Sequence, residues 1–276
     1  MKIGLALGGG GVRGLAHVPV LEVLDEFGIT PHMISGTSMG AIIGSIYAAG
    51  YPGAEIREGI QEQIIAKSDK PGVVWRKVKN LVRWLGYFRV SWGRRAMLSA
   101  DGFLEFLVEN MGVETFEQLK IPFHAVATDF YRHEAVVISS GEIGPAIKAS
   151  MAIPGVFEPI TIDGRVLVDG GVADNLPYDI LMDQCDAVIA VDVVPTRNED
   201  ETEHPSMVDA ALGTFDSLTE TVTRFKLEER PPTIYVRPEL VGIRTLDFDK
   251  IEMVYEQTEP AMEKFRADLT SLLEQG

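Results

Sequence analysis

Four consecutive glycines, at positions 8–11, separate an apolar run at 2–7 from a stretch at 14–27 in which Leu15, Val18, Leu21 and Leu24 recur at helical spacing. Such a run suits neither a strand nor a helix, so it reads as the turn from a buried strand into the helix that follows. A second apolar run at 33–36 enters a second helical stretch at 38–50. The chain therefore opens β-α-β-α, the pattern of parallel strands joined by crossover helices.

The same alternation predicts strands at 123–128, 135–139, 166–168, 187–193 and 233–236. Helices are predicted near 101–110, 143–150, 207–229 and 249–274. Asp163-Gly164 lies between 160–162 and 165–168 and predicts a two-residue hairpin, because both residues tolerate positive φ; one antiparallel ribbon should decorate the sheet. At 276 residues, 46% hydrophobic and 24% charged, the chain is of ordinary globular composition. An α/β chain of this length is commonly one continuous domain, so a single domain over 1–276 is expected. Its motif-bearing core is 1–195, with C-terminal helices and a strand in 205–276.

Residues 27–54 contain no charge over 28 positions, longer than the ~20 needed to span a bilayer. Gly28, Pro31, Gly36, Gly40, Gly44 and Gly50 break that stretch into pieces whose backbone lipid could not satisfy, so no span is expected. The start resembles a signal peptide only as far as Leu7, and no small-x-small cleavage site follows. The one cysteine, Cys185, excludes an internal disulfide framework and a multi-cysteine zinc site, and suits the cytoplasm. The net charge of −16 argues against nucleic acid as a partner.

Segment 67–97 departs from that balance. It holds nine basic residues against the single acid Asp69, a local +8, together with Trp75, Trp84, Trp92, Tyr87 and Phe88. Basic residues interleaved with aromatics suit an interfacial flap that makes peripheral membrane contact. The plainer alternative is a surface helix packed on the core with its lysines in water.

Gly9-x-Gly11-x-x-Gly14 satisfies a dinucleotide fingerprint. The acid that such a site needs at the end of the second strand is replaced by Ser35-Gly36-Thr37-Ser38, and no Gly-Lys-Ser/Thr follows to make a P-loop. Gly36-Thr37-Ser38-Met39-Gly40 is instead Gly-x-Ser-x-Gly at a strand-to-helix junction, the setting that exposes a nucleophilic serine. Capping the helix would need the hydroxyl but not both glycines. Loops at the carboxyl ends of neighbouring parallel strands share one edge, so the glycine run and Ser38 should face one crevice, with free N–H groups available as an oxyanion hole.

A serine needs a base. Of five histidines, His32 and His124 precede their strands, His133 lies in a turn and His204 in an acidic loop. Only His17, one turn into the first helix, is not dismissed by topology. Asp169, at the far end of its strand and followed by Gly170-Gly171, is the better candidate. Asp129 also ends a strand, and spacing alone does not choose between the two aspartates.

Gly-Gly-Gly-Val-Arg-Gly at 9–14, Gly-Thr-Ser-Met-Gly at 36–40 and Asp-Gly-Gly at 169–171 resemble, in order and context, the patatin-like phospholipases. The likeness is strongest to short bacterial members akin to the neuropathy-target-esterase branch. Residues 149–155 (Ala-Ser-Met-Ala-Ile-Pro-Gly) and Asn175-Leu176-Pro177 fit as well; the resemblance covers 1–195 and the C-terminal third adds little. It implies a three-layer α/β/α sandwich with a mainly parallel sheet and a Ser-Asp dyad. Ser38 is then the nucleophile and Asp169 the base, with Gly9, Gly10 and Gly11 as oxyanion hole. Arg13 and Gly14 belong to the motif loop, Gly36 and Gly40 to the elbow, and Gly170 and Gly171 to the base motif. Asp129 becomes structural, and Arg13, read without the family, is a surface arginine at the start of a helix. A chain beginning at strand one is expected to lack the regulatory domains of long relatives.

The resemblance implies an acyl-enzyme hydrolase of phospholipid, lysophospholipid or another acyl ester, with no metal or organic cofactor. An aspartate base near neutral pH must have its pKa raised by burial, which requires an enclosed site. The alternatives are a weakly catalytic adaptor that binds protein or lipid, an acyltransferase sharing the acyl-enzyme and, more remotely, a nicotinamide oxidoreductase.

Overall fold

The computed structural model describes residues 1–65, 101–196 and 204–275. The basic aromatic segment 67–97 and most of the acidic loop lie outside the described residues, so the flap and its alternative stay as expectations. The strands are β1 (Ile3–Leu7), β2 (Met33–Thr37), β3 (Phe123–Asp129), β4 (Glu134–Ile138), β5 (Ile160–Ile162), β6 (Arg165–Asp169), β7 (Ala187–Val191) and β8 (Ile234–Val236). The helices are α1 (His17–Glu26), α2 (Met39–Ala48), α3 (Gly53–Ile65), α4 (Asp101–Met111), α5 (Ile143–Ser150), α6 (Asp179–Met182), α7 (Met207–Glu229) and α8 (Ile251–Gln275).

The strands form one sheet in which β3-β2-β1-β7-β8 are parallel neighbours. β1 is buried along its whole length, as a central strand covered on both faces must be. Its alternation separates two cores. Ile3, Leu5 and Leu7 join the large cluster that contains residues of α1, α2, α3, α4, α5 and α8; Ala6 joins a smaller cluster with Leu176, Tyr178, Leu181, Val188 and Ala190, against which Leu227 of α7 packs. Helices therefore cover both faces of a mainly parallel sheet, unequally.

The expected ribbon is present: β5 and β6 pair antiparallel, and Asp163 (φ 50°) and Gly164 (φ 75°) supply the primed turn. Two further antiparallel pairs, β3 with β4 and β3 with β6, were not anticipated, nor were α3 and α6. The registers around β3 position the site. Residues 125–126 pair with both β2 and β4, so those two strands lie on opposite sides of β3. Residues 127–129 pair with both β4 and β6, which puts β6 on the β2 side. β2 and β6 thus lie along the same flank of β3 and run toward each other, Thr37 opposite Val126 and Asp169 opposite Ala127. Their carboxyl ends meet.

Candidate active site

That meeting point brings Ser38, the residue after β2, beside Asp169, the last of β6. Ser38 sits at φ 55°, ψ −120°, a strained backbone for a non-glycine residue and the mark of a nucleophile elbow. The strain persists because the crossing permits no side chain on either flank. A Cβ on Gly36 would come 2.5 Å from the Gly40 carbonyl oxygen, and one on Gly40 would come 2.1 Å from that of Leu7. The elbow is also pinned from α5: the Ser38 N–H donates to Ser150 Oγ at 2.9 Å, and that hydroxyl donates to the Val126 carbonyl at 2.6 Å.

Asp169 is 1% exposed. Its Oδ1 accepts from the Gly171 N–H at 2.8 Å, and its buried Oδ2 has no aligned hydrogen-bond partner. Burial pushes the carboxyl up to about 7, against the opposing pull of the Gly171 N–H and the nearby Ser38 hydroxyl. Gly170 has no room for a side chain, because a Cβ would lie 2.2 Å from the Val126 carbonyl oxygen. Thr128 Oγ1 donates to the Asp169 carbonyl at 2.9 Å and fixes the same loop to β3.

The glycine run enters the same crevice through Gly9, Gly10 and Gly11. The Gly9 N–H is committed to the Asn175 carbonyl at 3.1 Å. Asn175 Nδ2 in turn donates to the Gly9 carbonyl at 3.2 Å. Among the described residues, the N–H groups of Gly10 and Gly11 hold no hydrogen bond. Gly14 abuts the residue after Ser38, since a Cβ there would lie 2.4 Å from Met39 Cγ.

Arg13 is not at the surface. It is 1% exposed, donating to Asp216 Oδ1 at 2.7 Å and to the Ile243 carbonyl at 3.2 Å. It ties the glycine loop to α7 and to the segment before α8. The C-terminal third, which added little to the resemblance, supplies a wall of the crevice: Leu212, Phe215, Asp216 and Thr219 of α7, with Thr245. The space between is about 10 Å³, roughly one water molecule.

No histidine lines this crevice among the described residues. His17 is fully buried behind the glycine loop, its Nε2 2.8 Å from the Gly8 carbonyl oxygen, and burial lowers its pKa to about 4. It is therefore neutral at pH 7 and donates to that oxygen. His32, His133 and His204 are exposed, and His124 is the second residue of β3. Asp129 is engaged elsewhere: its Oδ1 accepts from the N–H groups of Tyr131 and Arg132 and closes the β3–β4 turn. Sequence reasoning assigned no role to Ser150 or Asn175, both inside stretches quoted for the family likeness, and the α7 wall carried no motif at all.

The sequence profile described as "Patatin-like phospholipase" matches residues 5–182, nearly two thirds of the chain. The chain belongs to the patatin-like phospholipase family. An uncharacterized NTE family protein of Mycobacterium tuberculosis is 35% identical over 178 residues, covering 64% of this chain and 44% of the relative. Lysophospholipase NTE1 of Candida glabrata is 28% identical over 279 residues, 92% of this chain but 15% of the relative, so the likeness runs past residue 195. The chain thus spans under half the length of these relatives. Among solved structures, VipD from Legionella pneumophila superposes with a TM-score of 0.48 at 16% identity, covering 95% of this chain and 66% of that one.

Proposed function

We propose that this patatin-like chain is a serine acyl hydrolase that cleaves carboxylic ester bonds of lipids, with phospholipid or lysophospholipid as the substrate class. One observation carries the reading: a serine on a strained elbow opens on the same enclosed crevice as a buried aspartate whose pKa is raised to about 7 and whose Oδ2 is unpartnered. A free carboxylate is too weak a base for a serine at neutral pH, and burial corrects this.

Ser38 Oγ attacks the ester carbonyl carbon as its proton passes to the Asp169 carboxylate. The developing oxyanion accepts from the N–H groups of Gly10 and Gly11, and the positive end of α2 beneath Ser38 adds to that stabilisation. Collapse breaks the bond to the alcohol oxygen, which takes the proton from Asp169 and leaves. Water then attacks the acyl-enzyme, gives its proton to Asp169, and releases the fatty acid as Ser38 recovers that proton. Asn175 and Ser150 are positioning residues that hold the glycine loop and the elbow. The relatives named lysophospholipase support the substrate class.

The test is labelling by a fluorophosphonate probe, with turnover of a short soluble ester and of lysophospholipid, in wild type, Ser38→Ala and Asp169→Asn. Loss of labelling and turnover in both variants, with folding intact by circular dichroism, is the expected result. A wild type that neither labels nor hydrolyses overturns the reading and leaves a patatin-fold adaptor in its place.

A further inference from the structure

Helix α7 distributes its charges in reverse for a surface helix. Its first three acids all turn toward the body of the protein and meet arginines: Asp209 with Arg244 at 3.1 Å, Asp216 with Arg13 at 2.7 Å and Glu220 with Arg237 at 3.1 Å. On the opposite side Met207, Ala211, Leu218, Val222 and Phe225 form one exposed stripe, with Leu218 63% and Phe225 60% exposed. At 3.6 residues per turn, the five side chains fall within an arc of about 60°. The first exposed charged residue of the helix is Arg224, so the outward face is uncharged for roughly 25 Å. An open groove of about 480 Å³ follows it, lined by Ala210, Gly213, Thr214, Ser217 and Leu218, with the paired Asp209 and Pro205 at its edge.

The same helix separates this face from the chemistry. Its inward residues Leu212, Phe215 and Thr219 wall the Ser38 crevice. The exposed Val172 follows the Asp-Gly-Gly loop against which α7 packs, and the exposed Leu246 follows Thr245 of the crevice wall. Two further exposed apolar side chains thus adjoin residues of the crevice.

We propose that the outward stripe of α7 is the surface by which this protein docks on an uncharged, zwitterionic lipid layer, an inference that takes its occupant from the lipid-hydrolase reading. Charge selects the class of surface. This face presents no lysine or arginine before Arg224, as a helix built for anionic head groups would, and apart from the basic segment 67–97 the chain is strongly acidic. Area argues against a second copy of the chain. One helix face about 25 Å long and 10 Å wide covers roughly 250 Å² per partner, against about 800 Å² in a stable protein interface.

The experiment is flotation with phosphatidylcholine vesicles, with and without added phosphatidylserine. Wild type, Ser38→Ala and the double variant Leu218→Glu/Val222→Glu are compared, with short-ester turnover and sedimentation velocity in parallel. Wild type and Ser38→Ala should float on phosphatidylcholine, and less well when anionic lipid is added at low salt. The double variant should float roughly tenfold less, because each substitution replaces an apolar contact by a charge, while its turnover of the soluble ester is unchanged. Equal flotation of the double variant overturns the proposal, as does a wild type that stays with the soluble fraction. A concentration-dependent dimer that the same substitutions dissociate, with flotation unaltered, makes the face a subunit contact instead. A wild type that floats but neither labels nor hydrolyses separates the two readings: docking stands and the hydrolase assignment fails.

Discussion

Asp169 should make the folded protein less stable, in a pH window that the structure specifies. Its carboxyl ionises near 3.8 when exposed and near 7 when buried beside Ser38. The native state therefore holds a proton through that interval while the unfolded chain has released it. Because the folded pKa is the higher one, the favourable contribution is complete below about 3.8 and is lost as pH rises to about 7. Roughly three pH units at about 1.4 kcal/mol each amount to ~4 kcal/mol lost by pH 8. At pH 5 only about 2 kcal/mol of that loss has accumulated, leaving a difference of roughly 2–3 kcal/mol between the two conditions. Asp169→Asn keeps a carbonyl oxygen for the Gly171 N–H and has no charge to bury, so its stability carries no such dependence. Urea unfolding of both proteins at pH 5 and pH 8 isolates the effect, since every other titrating group is common to the pair. The gain of Asp169→Asn over wild type should be larger at pH 8 by roughly 2–3 kcal/mol, close to 1 M in midpoint at an m-value of about 3 kcal/mol/M. A difference of differences near zero would refute the argument that Asp169 retains its proton in the native state. A variant that is inactive yet more stable at pH 8 is the expected outcome.

The same pKa predicts that kcat/KM on a soluble ester rises with pH through about 7 and then levels, because the base must be ionised; a profile flat from pH 5 to 9 removes Asp169 from that role. Arg13→Met should cost about 3 kcal/mol or more in thermal or urea unfolding, because it leaves Asp216 partly buried without its partner, and Asp216→Asn added to it should restore part of the loss. Ser150→Ala should cost about 1–3 kcal/mol by orphaning the buried Ser38 N–H and should lower kcat more than it raises KM. Gly40→Ala should cost about 3 kcal/mol, since its Cβ would meet the Leu7 carbonyl oxygen at 2.1 Å, with the unfolding midpoint as the readout.

What could be read from the sequence divides by range. The glycine run and the elbow are local devices: each is a strand-to-helix junction written in adjacent residues, so their type and common sheet edge were legible from spacing alone. The pairing of Ser38 with Asp169 was not, because it depends on β6 arriving antiparallel along the flank of β3 already used by β2. Nothing in the residues of β6 states which side of β3 it takes, and the choice between Asp169 and Asp129 came from resemblance. Asp129 shows the physical cost of that gap: it also ends a strand, but the β3–β4 turn uses its carboxylate on the N–H groups of Tyr131 and Arg132. The hydrogen bond that the Gly9 N–H donates was hidden for a similar reason, since its acceptor, the Asn175 carbonyl, lies 166 residues away. α7 is the converse case. Its length was legible, but helical periodicity describes which residues share a face and not which face turns inward. The arginines that meet Asp209, Asp216 and Glu220 lie at positions 244, 13 and 237, outside α7 in sequence, so nothing in the helix itself states that Leu218, Val222 and Phe225 face outward. The helix that encloses the crevice and the apolar surface outside it are therefore two faces of one orientation, set by the inward packing of Leu212, Thr219 and Leu227 together with these ion pairs.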